Sequence, residues 1–260
     1  MHTYMNDKNL HSLTEEDLLF LVKSFADKHK SHDTIIDFAR TDQNILLQMI
    51  DDHKVFSALI NPQHRVLSIS TFFFFFQMIR HSFRTYSEQE DFIKKVNLHQ
   101  ASYGGIELSE AEISEILNDI DLQLYMANML TFFSTSARMN DPQKTQNGWL
   151  YITDLIRRIE EASPTNEFLL QAFIGNYTLC LTGFYKNHVE EKFRYGKRLV
   201  NCHYYSEFGQ KFFLSASRTK IAESTGLSQI LASLAVGFHI IRLALDDLKH
   251  KDHFYGCSVA

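Results

Sequence analysis

Apolar side chains recur three and four positions apart along most of this chain, between residues suited to capping helix ends. Leu18, Leu19, Leu21, Val22 and Phe25 form one such stripe after Thr14. A short piece follows at Ile35–Phe38. Asp42 then opens a run carrying Ile45, Leu46, Met49, Ile50, Phe56 and Leu59, which Asn61-Pro62 ends because a residue before proline avoids the α region. The five consecutive phenylalanines Phe72–Phe76 sit in a predicted helix from Ser68 to Arg84 that is apolar on all sides, and so belongs at the centre of the fold.

Further helices are predicted over Ser87–Gln100, Ser109–Ser134 and Trp149–Glu161. Ser163-Pro164 opens the next, with serine as cap and proline in the first helical position. A long Tyr-, Phe- and charge-rich segment runs from Lys186 to Ser217. Gly226 separates it from a last apolar helix, Leu227–Leu248. Three matches to Ser/Thr-x-x-Asp/Glu, at Thr14–Asp17, Ser87–Glu90 and Ser109–Glu112, read as reciprocal capping boxes.

These elements predict an all-α fold, eight to ten helices around one core. The polar stretch 135–148, with Pro142, is the natural boundary if the chain divides into two subdomains meeting near Asp141. No fixed-period repeat is visible. Composition agrees: 3 Pro and 10 Gly are too few for a strand-and-turn fold. The 22 Phe and 11 Tyr exceed what a simple bundle needs, and surplus aromatics build interfaces or apolar pockets. Self-association as a homodimer follows as an expectation, through Leu227–Leu248 or the Phe193–Phe213 face.

A net charge of −5 argues against a dedicated nucleic-acid protein, which carries a basic domain or stripe. Cys180, Cys202 and Cys257 are odd in number and widely spaced, so a disulfide framework or zinc cage is not expected and a reducing, cytoplasmic setting is. The N-terminus has no signal-peptide pattern. The most apolar window, Val66–Ile79, falls short of the about 20 residues of a spanning helix, so no membrane span is expected.

Candidate chemistry is sparse. No phosphate-binding Gly loop, G-x-S-x-G elbow or H-E-x-x-H occurs. His203 and Glu207 lie four apart on one face, a spacing that suits a metal pair. A di-iron bundle, however, needs two Glu-x-x-His motifs, and the chain has none, so neither metal nor cofactor is expected. Cys202 and Cys180 read as inert packing thiols. His239 lies in the apolar run LASLAVGFHIIRLAL and reads as a core or interface histidine sharing a face with Arg242. Cys257-Ser-Val-Ala at the C-terminus has a prenylation-like spacing, although Ser follows the Cys, and reads as a frayed tail.

Within FRYGKRLVNCHYYSEFGQK, Arg198 and His203 resemble the Arg-x(4–6)-His signature of HEPN-type helical domains, some of which cut RNA. The resemblance implies His203 as acid/base and Arg198 as phosphate holder. Tyr195, Tyr204 and Glu207, in the same polar segment, are candidate binding residues. Three other segments, DLQLYMANMLTFF, YYSEFGQKFFLSAS and LASLAVGFHIIRLALDDL, are similar to a set of bacterial cytosolic helical proteins of unknown role. That likeness implies a bacterial cytosolic protein and brings no activity or site. The leading expectation is therefore a non-enzymatic regulatory or protein-interaction protein. The alternatives are a HEPN-like ribonuclease using Arg198 and His203, or a small-molecule or lipid sensor with a pocket lined by Phe72–Phe76.

Overall fold

The computed structural model describes residues 9–25, 32–61, 69–103, 108–134, 152–196 and 200–250. These residues fold into one 3-10 turn, Leu10–Ser12, and fifteen α-helices, with no strand among them. The helices are α1 (Glu15–Phe25), α2 (His32–Thr41), α3 (Gln43–Ile50), α4 (His53–Ile60), α5 (Thr71–Ser87), α6 (Glu90–Tyr103), α7 (Glu110–Asn118) and α8 (Ile120–Phe133). They continue with α9 (Ile152–Glu160), α10 (Pro164–Phe184), α11 (Lys186–Arg194), α12 (Cys202–Ser217), α13 (Lys220–Ser224), α14 (Ser228–Val236) and α15 (Phe238–His250). The all-α multi-helix bundle is as expected. The stretch 135–148 and the tail from Cys257 lie outside the described residues.

The helices outnumber the expected eight to ten because long apolar runs are broken at their capping residues. Asp119 adopts an extended backbone (φ −64°, ψ 115°), and its carboxylate accepts from Asp121 N and Leu122 N, so Ser109–Ser134 splits into α7 and α8. A side chain that satisfies the first amides of a new helix stabilises the break. Gly237 divides the last apolar run, and α14 and α15 meet there at 76°. A Cβ on Gly237 would stand 2.8 Å from Ile116 Cγ2, so the corner needs glycine to sit against α7. In Lys186–Ser217, Gly196 takes φ 66° just after α11. That left-handed conformation costs an L-residue strain and glycine almost none.

Two of the three predicted capping boxes form. Thr14 N donates to Asp17 Oδ2 at 3.0 Å, and Asp17 N to Thr14 Oγ1 at 3.2 Å. Ser109 and Glu112 pair in the same reciprocal way. The box at Ser87–Glu90 does not. Ser87 is the last residue of α5, its hydroxyl donates to Arg84 O, and α6 starts only at Glu90. The α5 register carries Ser87 one turn further than the sequence pattern predicts.

One cluster of buried apolar residues runs from Leu10 to Leu245 and draws on both sides of 135–148. The phenylalanine helix lies within it. Phe72, Phe73 and Phe76 are fully buried, and Phe74 and Phe75 are half-buried. α5 packs on α7 and α8; α10 packs on α12 and α15, and α12 on α14. The α10–α12–α15 crossing is close because glycines face it. A Cβ on Gly175 would strike the Phe213 ring, and one on Gly209 would strike Phe238 and Thr178. No single described helix is long and apolar enough to cross a membrane, and most residues of the bent α14–α15 pair are buried in the core.

Candidate functional site

A polar concavity opens where α11, the start of α12 and the middle of α15 meet. Lys186, Glu190, Asn201, Cys202, His203, Ser206, His239 and Arg242 line a cleft of about 310 Å³. Its geometry follows from local sequence. Asn201 caps α12 by accepting from Tyr204 N at 3.0 Å, which fixes where the helix begins. The next amide, Cys202 N, donates to Glu190 Oε1 at 2.9 Å, so a carboxylate from α11 sits at the positive end of α12. Lys186, at the start of α11, donates to Asp246 Oδ2 of α15 at 3.1 Å. These bonds tie the three helices around the opening.

Two of the lining groups are buried to a degree unusual for their type. Arg242 is 3% exposed and His239 6%. Arginine is almost never fully buried unless paired. Among the lining side chains Lys186 and Arg242 are the basic groups and Glu190 is the one carboxylate, with two imidazoles beside them. The cleft lining thus mixes basic, acidic, amide and hydroxyl groups from three helices.

Burial, and then the adjacent Glu190, push the Cys202 thiol up to about 12, against the smaller opposing effect of Arg242 and Lys186. The thiolate is the reactive form, so the shift disfavours nucleophilic use of this group at neutral pH. Cys180 is likewise pushed up to about 12 by burial alone. No group of three or more His, Cys, Asp or Glu among the described residues is placed to hold a metal ion. The one lining group suited to acid/base work at an accessible position is His203, whose Nε2 stands 3.5 Å from Glu207 Oε1.

The structure brings His203 to the cleft wall and places Glu207 one turn further, beside it. Tyr204 turns to the aromatic face of α12, with its ring centre 4.5 Å from that of Phe208. Tyr195, the C-cap of α11, is 72% exposed and does not line the cleft. Arg198 lies outside the described residues. Lys186, Glu190 and Asn201 carry no sequence signal of their own. Arg242 does: a guanidinium inside LASLAVGFHIIRLAL is costly to bury, which marks a paired or functional position.

A second concavity, near α5, is a structural clamp. Arg80 grips Asp51 with two bonds, Nε to Oδ1 at 2.6 Å and Nη2 to Oδ2 at 2.8 Å. Arg84 Nη1 meets the same carboxylate at 2.9 Å. The pair ties the α3–α4 corner to α5. Comparison with family models, curated proteins and solved structures finds no match for this chain.

Proposed function

We propose that this chain is a non-enzymatic regulatory or interaction protein that takes a small polar ligand into the α11–α12–α15 cleft. The observation that carries the reading is Arg242, an almost fully buried guanidinium on the wall of a solvent-open cleft. Desolvating such a group is expensive, and ligand pockets retain a few charged groups of this kind to orient what they bind. The cleft volume of about 310 Å³ lies at the low end of small-molecule sites, so it suits a metabolite better than a polymer. Screening metabolites by thermal shift and native mass spectrometry tests the reading. A ligand that raises Tm in wild type and not in Arg242→Gln supports it; silence across the panel together with an empty native mass spectrum overturns it.

The free, buried thiols of Cys180 and Cys202 support a reducing, cytoplasmic setting. Exposed Phe193 and Tyr195 at the end of α11, and exposed Leu214 on α12, support self-association or a protein partner. A ligand at Phe72–Phe76 is less favoured, because it has to displace rings already packed in the core.

A second reading is the HEPN-like ribonuclease using Arg198 and His203. It is favoured by His203 standing in a cleft with Lys186 and Arg242, cations that suit a phosphodiester. RNA cleavage by the purified protein, abolished in His203→Ala, would establish it and displace the non-enzymatic reading.

A further inference from the structure

We propose that α11 is a flap, a hinged cover that opens off the cleft while the rest of the bundle stays folded. The inference concerns access to the cleft and holds whatever occupies it. Val189 is the one residue of α11 that is buried, and no half-buried apolar side chain of α11 packs on the core beside it; Phe193, one turn on, is 41% exposed. α4, of similar length, also buries a single residue, Val55, but backs it with Ala58 and Leu59. α10 by contrast buries most of its residues from Phe168 to Gly183. A helix that buries little apolar surface has little to hold it down, and such elements open at free energies well below that of global unfolding.

Much of what holds α11 closed is polar. Glu190 Oε1 accepts from Cys202 N at 2.9 Å, Lys186 Nζ donates to Asp246 Oδ2 at 3.1 Å, and Lys186 O accepts from the Cys202 thiol at 3.7 Å. Water replaces such bonds when they break, so each contributes little net. The two ends suit a hinge, which takes a few residues at element termini. Tyr185 is both the last cap of α10 and the first of α11, with no side-chain bond securing the new helix, and Gly196 at φ 66° follows the far end. The neighbouring helices do not depend on α11. α12 begins on its own cap, with Asn201 accepting from Tyr204 N, and α10 meets α12 and α15 through Gly175 against Phe213 and Gly183 against Leu245. Opening α11 takes Lys186 and Glu190 out of the cleft wall and uncovers Cys202, which is 5% exposed with α11 closed. It also removes the burial and the Glu190 carboxylate that hold this thiol up at about 12, so the uncovered thiol returns toward its ordinary 9.0 and becomes reactive.

Native-state hydrogen exchange of the full chain, together with iodoacetamide labelling read by peptide mass spectrometry, tests the flap. Hydrogen-bonded amides of α11 are expected to exchange at least about a hundredfold faster than those of α10 and α12, with little urea dependence, because a local opening exposes little surface. Cys202 is expected to be alkylated at least about tenfold faster than Cys180, the buried thiol of α10. Val189→Ala, which trims the apolar anchor, and Lys186→Met, which cuts a tether, are each expected to speed Cys202 alkylation by about threefold or more while Cys180 keeps its rate. Lys186→Met is the stricter of the two, since loss of that cation by itself raises the thiol's pKa and slows the reaction. Amides of α11 that exchange together with those of α12, Cys202 and Cys180 alkylated at one rate, or a Cys202 rate that neither variant changes would each overturn the proposal.

Discussion

The carboxylate of Asp17 accepts from both the backbone N–H and the hydroxyl of Ser70, each at 2.7 Å, across 53 residues of sequence. The same Asp17 closes the capping box with Thr14 N, so one fully buried carboxylate starts α1 and anchors the cap of α5. Ser70 Oγ in turn accepts from Phe73 N at 3.1 Å, which places the phenylalanine helix in register on the core. Hydrogen bonds to a charged group contribute about 1.5–3 kcal/mol each, and a buried donor left unmade costs about as much. Asp17→Ala is therefore expected to lower unfolding free energy by about 3–5 kcal/mol in a urea titration, with Ser70→Ala costing about 1–2. A double-mutant cycle is expected to show strong coupling; additive losses would mean the two residues act separately.

At the α10–α12–α15 crossing, backbone approach depends on missing Cβ atoms. Gly209→Ala and Gly175→Ala are expected to destabilise by about 1–3 kcal/mol through overpacking against Phe238 with Thr178, and against Phe213. Phe213→Leu in the Gly175→Ala background is expected to recover part of the loss. Gly175→Ala at wild-type Tm would show that the helices stand further apart than the contact with Phe213 implies.

Tyr125 and Asn176 make a buried polar contact between α8 and α10, with the phenol donating to Oδ1 at 3.1 Å and Nδ2 donating to the phenol oxygen at 2.9 Å. Tyr125→Phe deprives a buried amide of its partner, which costs about 1–3 kcal/mol. Combining Tyr125→Phe with Asn176→Leu is expected to cost less than the sum of the single changes, because no polar group is then left without its partner. Thermal denaturation of wild type, the two single variants and the double variant measures this; strict additivity would refute the pairing.

The thiol of Cys180 is held protonated by burial, up to about 12 from an ordinary 9.0. Folding thus favours the neutral form. The stability this contributes is fully present below pH 9 and is lost as pH rises from there toward 12, because the unfolded chain ionises first. Wild type is expected to lose more stability than Cys180→Ala between about pH 9 and about pH 11 in urea titrations. Parallel declines for the two proteins would refute the assignment.

Fold class was legible because it depends on near-neighbour chemistry. The spacing of Leu18, Leu21, Val22 and their counterparts, the boxes at Thr14 and Ser109, and Pro164 at the head of α10 all act within a few residues. Helix ends were less legible where two local signals compete. Asp119 terminates one helix by capping the next, while Ser87 carries a capping residue's chemistry yet stays inside α5. The candidate site was legible only in part. His203 and Glu207 share a helix face, so their neighbourhood follows from spacing. Glu190 reaches Cys202 N only because α11 folds back beside α12 after the turn at Gly196.

Local sequence is enough to specify an all-α chain, several of its helix starts, and a charged residue, Arg242, too polar for the apolar run that holds it. That Arg242, His239, Lys186, Glu190 and His203 share one cleft emerges only from the folded chain. The physical reason is range. Periodicity and capping are set by atoms within a turn of one another, whereas the meeting of α11, α12 and α15 is set by packing of the whole core, in which glycines at 175 and 209 let the helices close.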